Sequence, residues 1–571
     1  MAADNAAGRL MPPMARHLEV PVKLRAILTT ATLYLFAACA PAAPGGAPGT
    51  DSIRAEDMKA DLQFLASDAL QGRRTGEPGN LAAAEFVRMR FARLGLEPAG
   101  PGGSYFQPYD LSTASLDDGN TLSATASGGR RGALPLRTDF YPHRFSASTE
   151  AEGPVVFAGF GITAPELQHD DLGGDLIRGA MVLVLDHEPG EMDPDSPFDG
   201  IVRAEAANPL RKALFAQARG AAGLLVVRDV HNHEGDEDFA RSAAGYWPEA
   251  GARPRYTLRA WVDQVTIPVV QVSVAAAEAL AVNAGTTLAA LAAASEARGG
   301  VTPTRLGDAR IALKTSVVRA SAPDRNVLAY IEGTDPQLQN ELVIVCGHYD
   351  HMGISGDRIF NGADDDGSGT VAVLEIAEAY VKAAAEGRRP RRPVLFAAWN
   401  SEEIGLLGAW AYTESPFRPL DQTVGVLNMD MIGRHEEVPD GQGDTARFRG
   451  LDEQTAASNA NAVNIIGATR SEDLKAAAEA ANAAFGLELK FRYDNNASNL
   501  MRRSDHWPFL QHAVPALWIH TGLHPDYHTE RDTVDRIEWE KMTRIVKLVH
   551  QMSWDLADGR TGVNGELRIE N

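Results

Sequence analysis

The second half of the chain is marked by short runs of successive apolar residues: "NVLAYIEG" (326–333), "ELVIVCGHYDH" (341–351), "RPVLFAAWNSEE" (392–403), "TVGVLNMDMIG" (423–433) and "VPALWIHTG" (514–522). Runs without polar alternation indicate strands buried on both faces. Helical stretches such as "GTVAVLEIAEAYVKAAAEG" (369–387) lie between them. The pattern predicts an α/β fold in which a mixed, mostly parallel sheet is sandwiched by helices. Upstream, residues 51–150 read as two helices around a Gly-rich turn. Leu62, Leu65 and Leu70, then Ala84, Phe86, Val87, Phe91 and Leu94, recur at broadly helical spacing, as in a layer packed on something larger.

Between 151 and 300 the texture changes. "GPVVFAGFGI", "GAMVLVLDH", "AAGLLVVRD" and "IPVVQVSV" are short apolar runs, and "NPLRKALFAQARG" is a helical stretch before the third. A smaller α/β unit follows, with an Ala-rich helix over about 274–297 and a linker near "GGVTPTRLG". Within it no tight set of metal ligands is evident, and His231 and His233 in "VHNHEGDED" read as a solvated loop. The catalytic part is expected over 301–560, with a tail at 561–571. No internal repeat is apparent.

Length and composition bound these elements. At 571 residues, two to four domains are expected, and 44% hydrophobic with 23% charged residues is ordinary globular usage. Fifty-four Lys and Arg against 76 Asp and Glu give a net charge of −22, which disfavours nucleic acid or an anionic membrane surface as a partner. The first residues stand apart. Lys23 and Arg25 precede the uncharged "AILTTATLYLFAA" (26–38), too short to span a bilayer but suited to an export signal over 1–38. "FAAC" resembles a bacterial lipobox, although Phe36 stands where Leu is usual; lipidation would then fall on Cys39, before the Pro/Ala/Gly-rich linker 39–50. Cleavage after "ACA" would instead release a soluble protein. The expected location is the cell envelope or the exterior, with contact to membrane only through that anchor. Cys346 is the one other cysteine, so no internal disulfide is expected in the mature chain.

The polar residues fall at the ends of the apolar runs. His348 and Asp350 follow the run ending at Cys346, Glu402 and Glu403 follow Trp399, Asp430 follows "VGVLN", and His528 lies beyond "ALWIH". Open α/β sheets place their sites at the carboxyl ends of strands. Any one of these residues is as readily a helix cap or a turn; the joint set is not. Imidazoles with several carboxylates suit a borderline divalent ion, zinc first, with manganese or cobalt accepting the same donors. "NGADDDGSG" adds three adjacent aspartates, Asp364, Asp365 and Asp366, which should raise one another's pKa unless positive charge sits among them.

"GHYDH", "ADDDGSG", "SEEIGLLGA", "NMDMIG", "RRSDHWPF" and "DYHTERDT", in this order, closely resemble the co-catalytic two-zinc aminopeptidases secreted by bacteria, relatives of the glutamate carboxypeptidases and the transferrin receptor. The likeness covers roughly 320–557, and the 51–150 region more loosely. It implies the zinc exopeptidase fold with a protease-associated domain inserted at 151–300. It implies that His348 and Asp430 hold one Zn2+, Glu403 and His528 the other, and that Asp365 bridges both. Glu402 would be the general base acting on a two-metal-bridged water, and Tyr527 an oxyanion donor. Asp350, Asp505 and Asp532 match supporting carboxylates; Asp364 stands where relatives often have Asn, and Asp366 fits a helix cap. Free histidines His506, His520 and His524 are expected to be wall or packing residues, and Arg502 and Arg503 structural ion-pair partners. The implied activity is removal of N-terminal residues from peptides with a free amine. Alternatives on the same scaffold are a carboxypeptidase or dipeptidase, which needs a basic pocket, a non-catalytic receptor-like protein, and a glutaminyl cyclase with one working metal.

Overall fold

A computed structural model describes residues 46–125, 131–233, 235, 237–248, 253–443, 445 and 447–559. The expected export signal, Cys39, most of the linker and the 561–571 tail lie outside the described residues. Four strands form the middle of the larger sheet, all parallel: Val394–Trp399, Leu342–His348, Thr423–Met429 and Ala516–His520, in that spatial order. Every residue in them is buried. Successive residues alternate between two cores: Val343 and Val345 face one, and Leu342, Ile344 and Cys346 the other. That is why the sequence shows continuous apolar runs. Each such side chain contributes about 1.5–3 kcal/mol on burial, so the four strands are the best anchored part of the molecule.

Antiparallel strands extend this sheet on both sides. Val317–Ile331 pairs with Val394–Trp399 and continues outward to Phe106–Leu116 and Tyr256–Leu258; Ala462–Ile466 and Glu488–Lys490 close the other edge. The sheet is mixed, as expected. Helices Ala55–Leu65, Pro78–Leu94, Gly369–Ala385 and Trp539–Asp558 cover one face. The second starts with Pro at its first position and stops at Gly95, whose φ of +75° ends the helix in the left-handed region. Helices Leu407–Glu414 and His506–Gln511 lie against the other face.

A second sheet of eight strands is built around Glu150–Phe157, Met181–Leu185, Gly223–Val227 and Val269–Val272, which run parallel. Its antiparallel flank includes Thr121–Thr125 and Thr304–Lys314, so the sheet reaches beyond 151–300 at both ends. Those flanking strands are half-buried or exposed at most of their positions, and so lack the continuous apolar runs that marked the unit in sequence. Within 151–300, by contrast, Tyr256–Leu258 joins the larger sheet. Both sheets belong to one compact unit that begins at Gly46. The helix expected at 274–297 is two, Val274–Asn283 and Leu288–Ser295, bent by 93° where Gly285 takes a φ of +75° and Thr287 caps the next helix through its hydroxyl. Among the described residues no single helix is long and apolar enough to cross a membrane.

Candidate metal centre

The parallel strands end at one place. His348 is the last residue of its strand, Asp430 follows Met429, and Asn400 to Glu403 follow Trp399. The aspartate triplet lies in an irregular turn, Ala363–Ser368, after which the helix begins at Gly369, where the helical stretch of the sequence starts. A Cβ at Gly369 would collide with the Met429 carbonyl and the Asp366 carboxylate, so glycine is what lets the helix start against the strand ends.

Within this turn the three carboxylates diverge. Asp365 Oδ1 lies 3.3 Å from His348 Nε2, while Oδ2 lies 3.0 Å from His528 Nε2 and 3.7 Å from His351 Nδ1. One carboxylate thus faces two donor sets. On the first side, Asp430 Oδ1 and Glu402 Oε2 are each 3.7 Å from His348 Nε2. On the second, Glu403 reaches His351 Nδ1 at 2.6 Å and His528 Nε2 at 3.1 Å. Asp366 lies within reach of His348 and Asp430, but its oxygens already accept the backbone N–H groups of His348 (2.9 Å), Gly369 (2.8 Å) and Met431 (3.3 Å). Asp364 turns the other way, accepting from the Gly433 N–H at 2.6 Å and meeting His524 Nε2 at 3.2 Å.

The supporting carboxylates act through the backbone. Asp350 accepts the N–H groups of Glu402 (3.0 Å) and Glu403 (3.3 Å) and sets its own carbonyl 3.2 Å from His348 Nδ1. It therefore orients an imidazole and shapes the glutamate turn together. Asp532 accepts from the N–H groups of Asp364 and Asp365, at 3.0 and 3.1 Å. Asp505 differs: both its oxygens are buried without a hydrogen-bond partner, and burial pushes its carboxyl well above the ordinary range, with Asp350 and Asp430 adding to the rise. Burial likewise raises Glu402, opposed by His348 and reinforced by Asp430, Glu403 and Asp505.

Two residues at this centre were not singled out in the sequence. His351, the last letter of "GHYDH", is wholly buried, its Nδ1 against Glu403 and its Nε2 without a hydrogen-bond partner, and it packs edge-on to His528. Arg73 is also wholly buried. Its guanidinium donates to the carbonyls of Tyr349 (2.8 Å), Leu65 (2.7 Å), Asn361 (2.6 Å) and Gly362 (2.9 Å), and so clamps both ends of the loop that leads from His348 to the triplet. Burial works against its charge, and Asp532, Asp365, Asp366 and Asp350 sustain it. Part of the positive charge among the aspartates is therefore this guanidinium.

The remaining candidates fall where expected, with two exceptions. His520 donates through Nδ1 to the Asp430 carbonyl (3.1 Å), and His506 packs on Trp518, its pKa pushed down to about 3 by burial. Arg502 pairs with Glu205 at 3.1 Å. Arg503 has no ion-pair partner among the described residues; it lines a cavity of about 20 Å³ with Asp365, Glu402, Asp430, Tyr527 and His528. Tyr527 stacks on His528 with ring centres 3.8 Å apart. The second exception concerns the basic pocket that a carboxypeptidase needs: in the sequence no dense Arg/Lys cluster adjoins the motifs apart from Arg502 and Arg503. Arg74, Arg253 and Arg255 line a cleft of about 310 Å³ with His351 and Glu403, brought there from distant stretches of chain.

The donors suit a metal. His348 Nε2 is buried without a hydrogen-bond partner, the carboxylates of Asp365, Glu402 and Asp430 converge on it, and those of Asp365 and Glu403 converge on His528 Nε2. Oxygen and imidazole donors without a thiolate fit zinc, manganese or cobalt.

Residues 326–553 match the model of peptidase family M28. All the strand-end donors lie inside the matched region. Over 258 residues the chain is 28% identical to a probable zinc metalloprotease of Leptosphaeria maculans, covering 41% of this chain and 57% of that protein. Over 486 residues it is 25% identical to a probable glutamate carboxypeptidase of Arabidopsis thaliana, covering 81% of this chain and 61% of the other. The chain thus spans less than two thirds of these relatives' length. Among solved structures it resembles the aminopeptidase from Aneurinibacillus sp. strain AM-1, with 20% identity, a TM-score of 0.45 and coverage of 91% and 97% of the two chains.

Proposed function

We propose that the chain is an aminopeptidase that hydrolyses the first peptide bond of peptides with a free N-terminus. The observation that carries this reading is Asp365, whose two oxygens face separate donor sets while Glu402 stands beside one of them. His348 and Asp430 would hold one zinc ion, His528 and Glu403 the other, and Asp365 both. His351, 2.6 Å from Glu403, would orient that carboxylate. Such ions supply Lewis acidity that polarises a scissile carbonyl and lowers the pKa of water.

The protein's own groups divide the remaining work. Glu402, on a turn fixed by Asp350, takes the proton from the attacking water and returns it to the leaving amine. Tyr527 and Arg503, lining the same cavity, offer donors to the oxygen on which charge develops. Export through residues 1–38, anchoring on Cys39, and a protease-associated character for the inserted sheet belong to the same proposal.

A carboxypeptidase is the second reading, favoured by the unpaired Arg503 and by Arg74, Arg253 and Arg255 along the cleft. A receptor-like role is less well supported, since the donor set is complete. Turnover of matched peptide panels, with amine free or acetylated and carboxylate free or amidated, separates the readings. The aminopeptidase requires the free amine and tolerates the amide; cleavage confined to acetylated peptides with a free carboxylate would overturn it.

A further inference from the structure

The inserted sheet carries a second convergence of donors. Strands Met181–Leu185 and Gly223–Val227 are parallel neighbours, and the turns leaving their carboxyl ends hold His187, Glu191 and His233. The first turn is fixed at its start: the buried Lys212 ammonium donates to the carbonyls of Leu185 (2.7 Å) and His187 (2.5 Å). Glu296 ties the two turns together, accepting from the Gly190 N–H and the Asn232 amide, each at 2.7 Å.

Between these turns the Glu191 carboxylate spans both imidazoles, 2.6 Å from His187 Nδ1 and 2.5 Å from His233 Nε2. The two nitrogens are 3.1 Å apart. If each donated a proton to Glu191, two N–H groups would face one another across that gap. A cation in their place satisfies all three donors. Tetrahedral zinc with bonds of about 2.0–2.1 Å sets its ligand atoms roughly 3.3 Å apart; the two nitrogens are close to that spacing, and the Glu191 oxygens would have to move outward by under about 1 Å to reach it. Arg203 lies against His187, 3.1 and 3.5 Å from its ring nitrogens. Its charge opposes a cation. Asp186, 3.9 Å from His187 Nε2, gives two carboxylates against one guanidinium. His233 is 33% exposed, which leaves an open side for water as fourth ligand.

We propose that His187, Glu191 and His233 form a mononuclear site for a divalent metal of the zinc class, separate from the catalytic centre. The turn they brace runs on to Ile201 and Arg203, whose N–H groups donate to Asn495 and Asn499 at 3.0 Å each. Those asparagines begin the loop that carries Arg502 and Arg503. The metal would therefore brace the insert where it meets the catalytic region.

This site stands independently of the aminopeptidase reading and is tested by counting metal. Full-length protein is stripped, reloaded with Zn2+ alone and desalted. The His187→Ala/His233→Ala protein should hold one equivalent less than wild type. An Asp365→Asn/Asp430→Asn protein, made to empty the catalytic centre, should keep one equivalent and lose it when His233→Ala is added. Glu191→Gln, conservative enough to fold, should weaken Zn2+ retention in that background at least 10-fold. Equal metal content in wild type and the double-histidine variant, or no retained metal in the Asp365/Asp430 variant, would overturn the proposal.

Discussion

Asp364, Asp365 and Asp366 are adjacent and all wholly or nearly buried, yet each spends its oxygens differently. Asp366 serves backbone N–H groups, Asp364 meets Gly433 and His524, and only Asp365 faces two donor sets. Removing its charge should therefore release metal while its neighbour tolerates change. In Asp364→Asn the amide oxygen can keep the Gly433 N–H and the amide nitrogen can donate to His524, so a loss of about 1–2 kcal/mol is expected. Metal analysis of Asp365→Asn and Asp364→Asn checks this: near-complete loss in the first, near-wild-type content in the second. Arg73 is the other residue of consequence. With four carbonyls left unpaired, Arg73→Ala should destabilise the protein by at least about 3 kcal/mol, seen as a lower denaturation midpoint in urea. Wild-type stability would show that the clamp is dispensable.

Among the elements, the four parallel strands were legible because burial on both faces writes itself as uninterrupted apolar sequence. So was the placing of His348, Glu402, Glu403 and Asp430, since strand ends are where such sheets expose side chains. The turns between them were less legible. Arg73 looked like part of a Gly-rich loop, because nothing local tells a buried arginine from a solvated one. His187, Glu191 and His233 come from two strand ends far apart in sequence, so no ligand spacing announced them; in the stretch read as a solvated loop His231 is exposed, while His233 is half-buried against His187 and Glu191. Asp350 shows how an element carries function. One carboxylate fixes the turn bearing Glu402 and Glu403, so Asp350→Asn should lower metal affinity or kcat about 10–100-fold while circular dichroism stays unchanged. Full activity with intact metal would contradict its role.

At the scale of the whole molecule, acid sensitivity follows from buried neutral histidines. His550 sits between Tyr380 and Trp554, its Nε2 bonded to the Pro48 carbonyl at 2.9 Å, and burial pushes its pKa down to about 4. The unfolded chain takes up that proton near pH 6.5 and the folded one only near 4, so this contribution is whole above 6.5 and is lost as pH falls towards 4. At about 1.4 kcal/mol per unit it reaches roughly 3 kcal/mol. Melting temperatures of wild type and His550→Gln at matched metal content should therefore converge between pH 6.5 and 4; parallel curves would contradict the assignment.

The proposed activity rests on Glu402 acting as a base beside metals it would not itself hold. The most direct measurement is turnover of a free-amine peptide by Glu402→Gln protein whose metal content has been counted. Two bound zinc ions and a kcat reduced about 100- to 10,000-fold are predicted. Two bound ions with wild-type kcat would contradict the account.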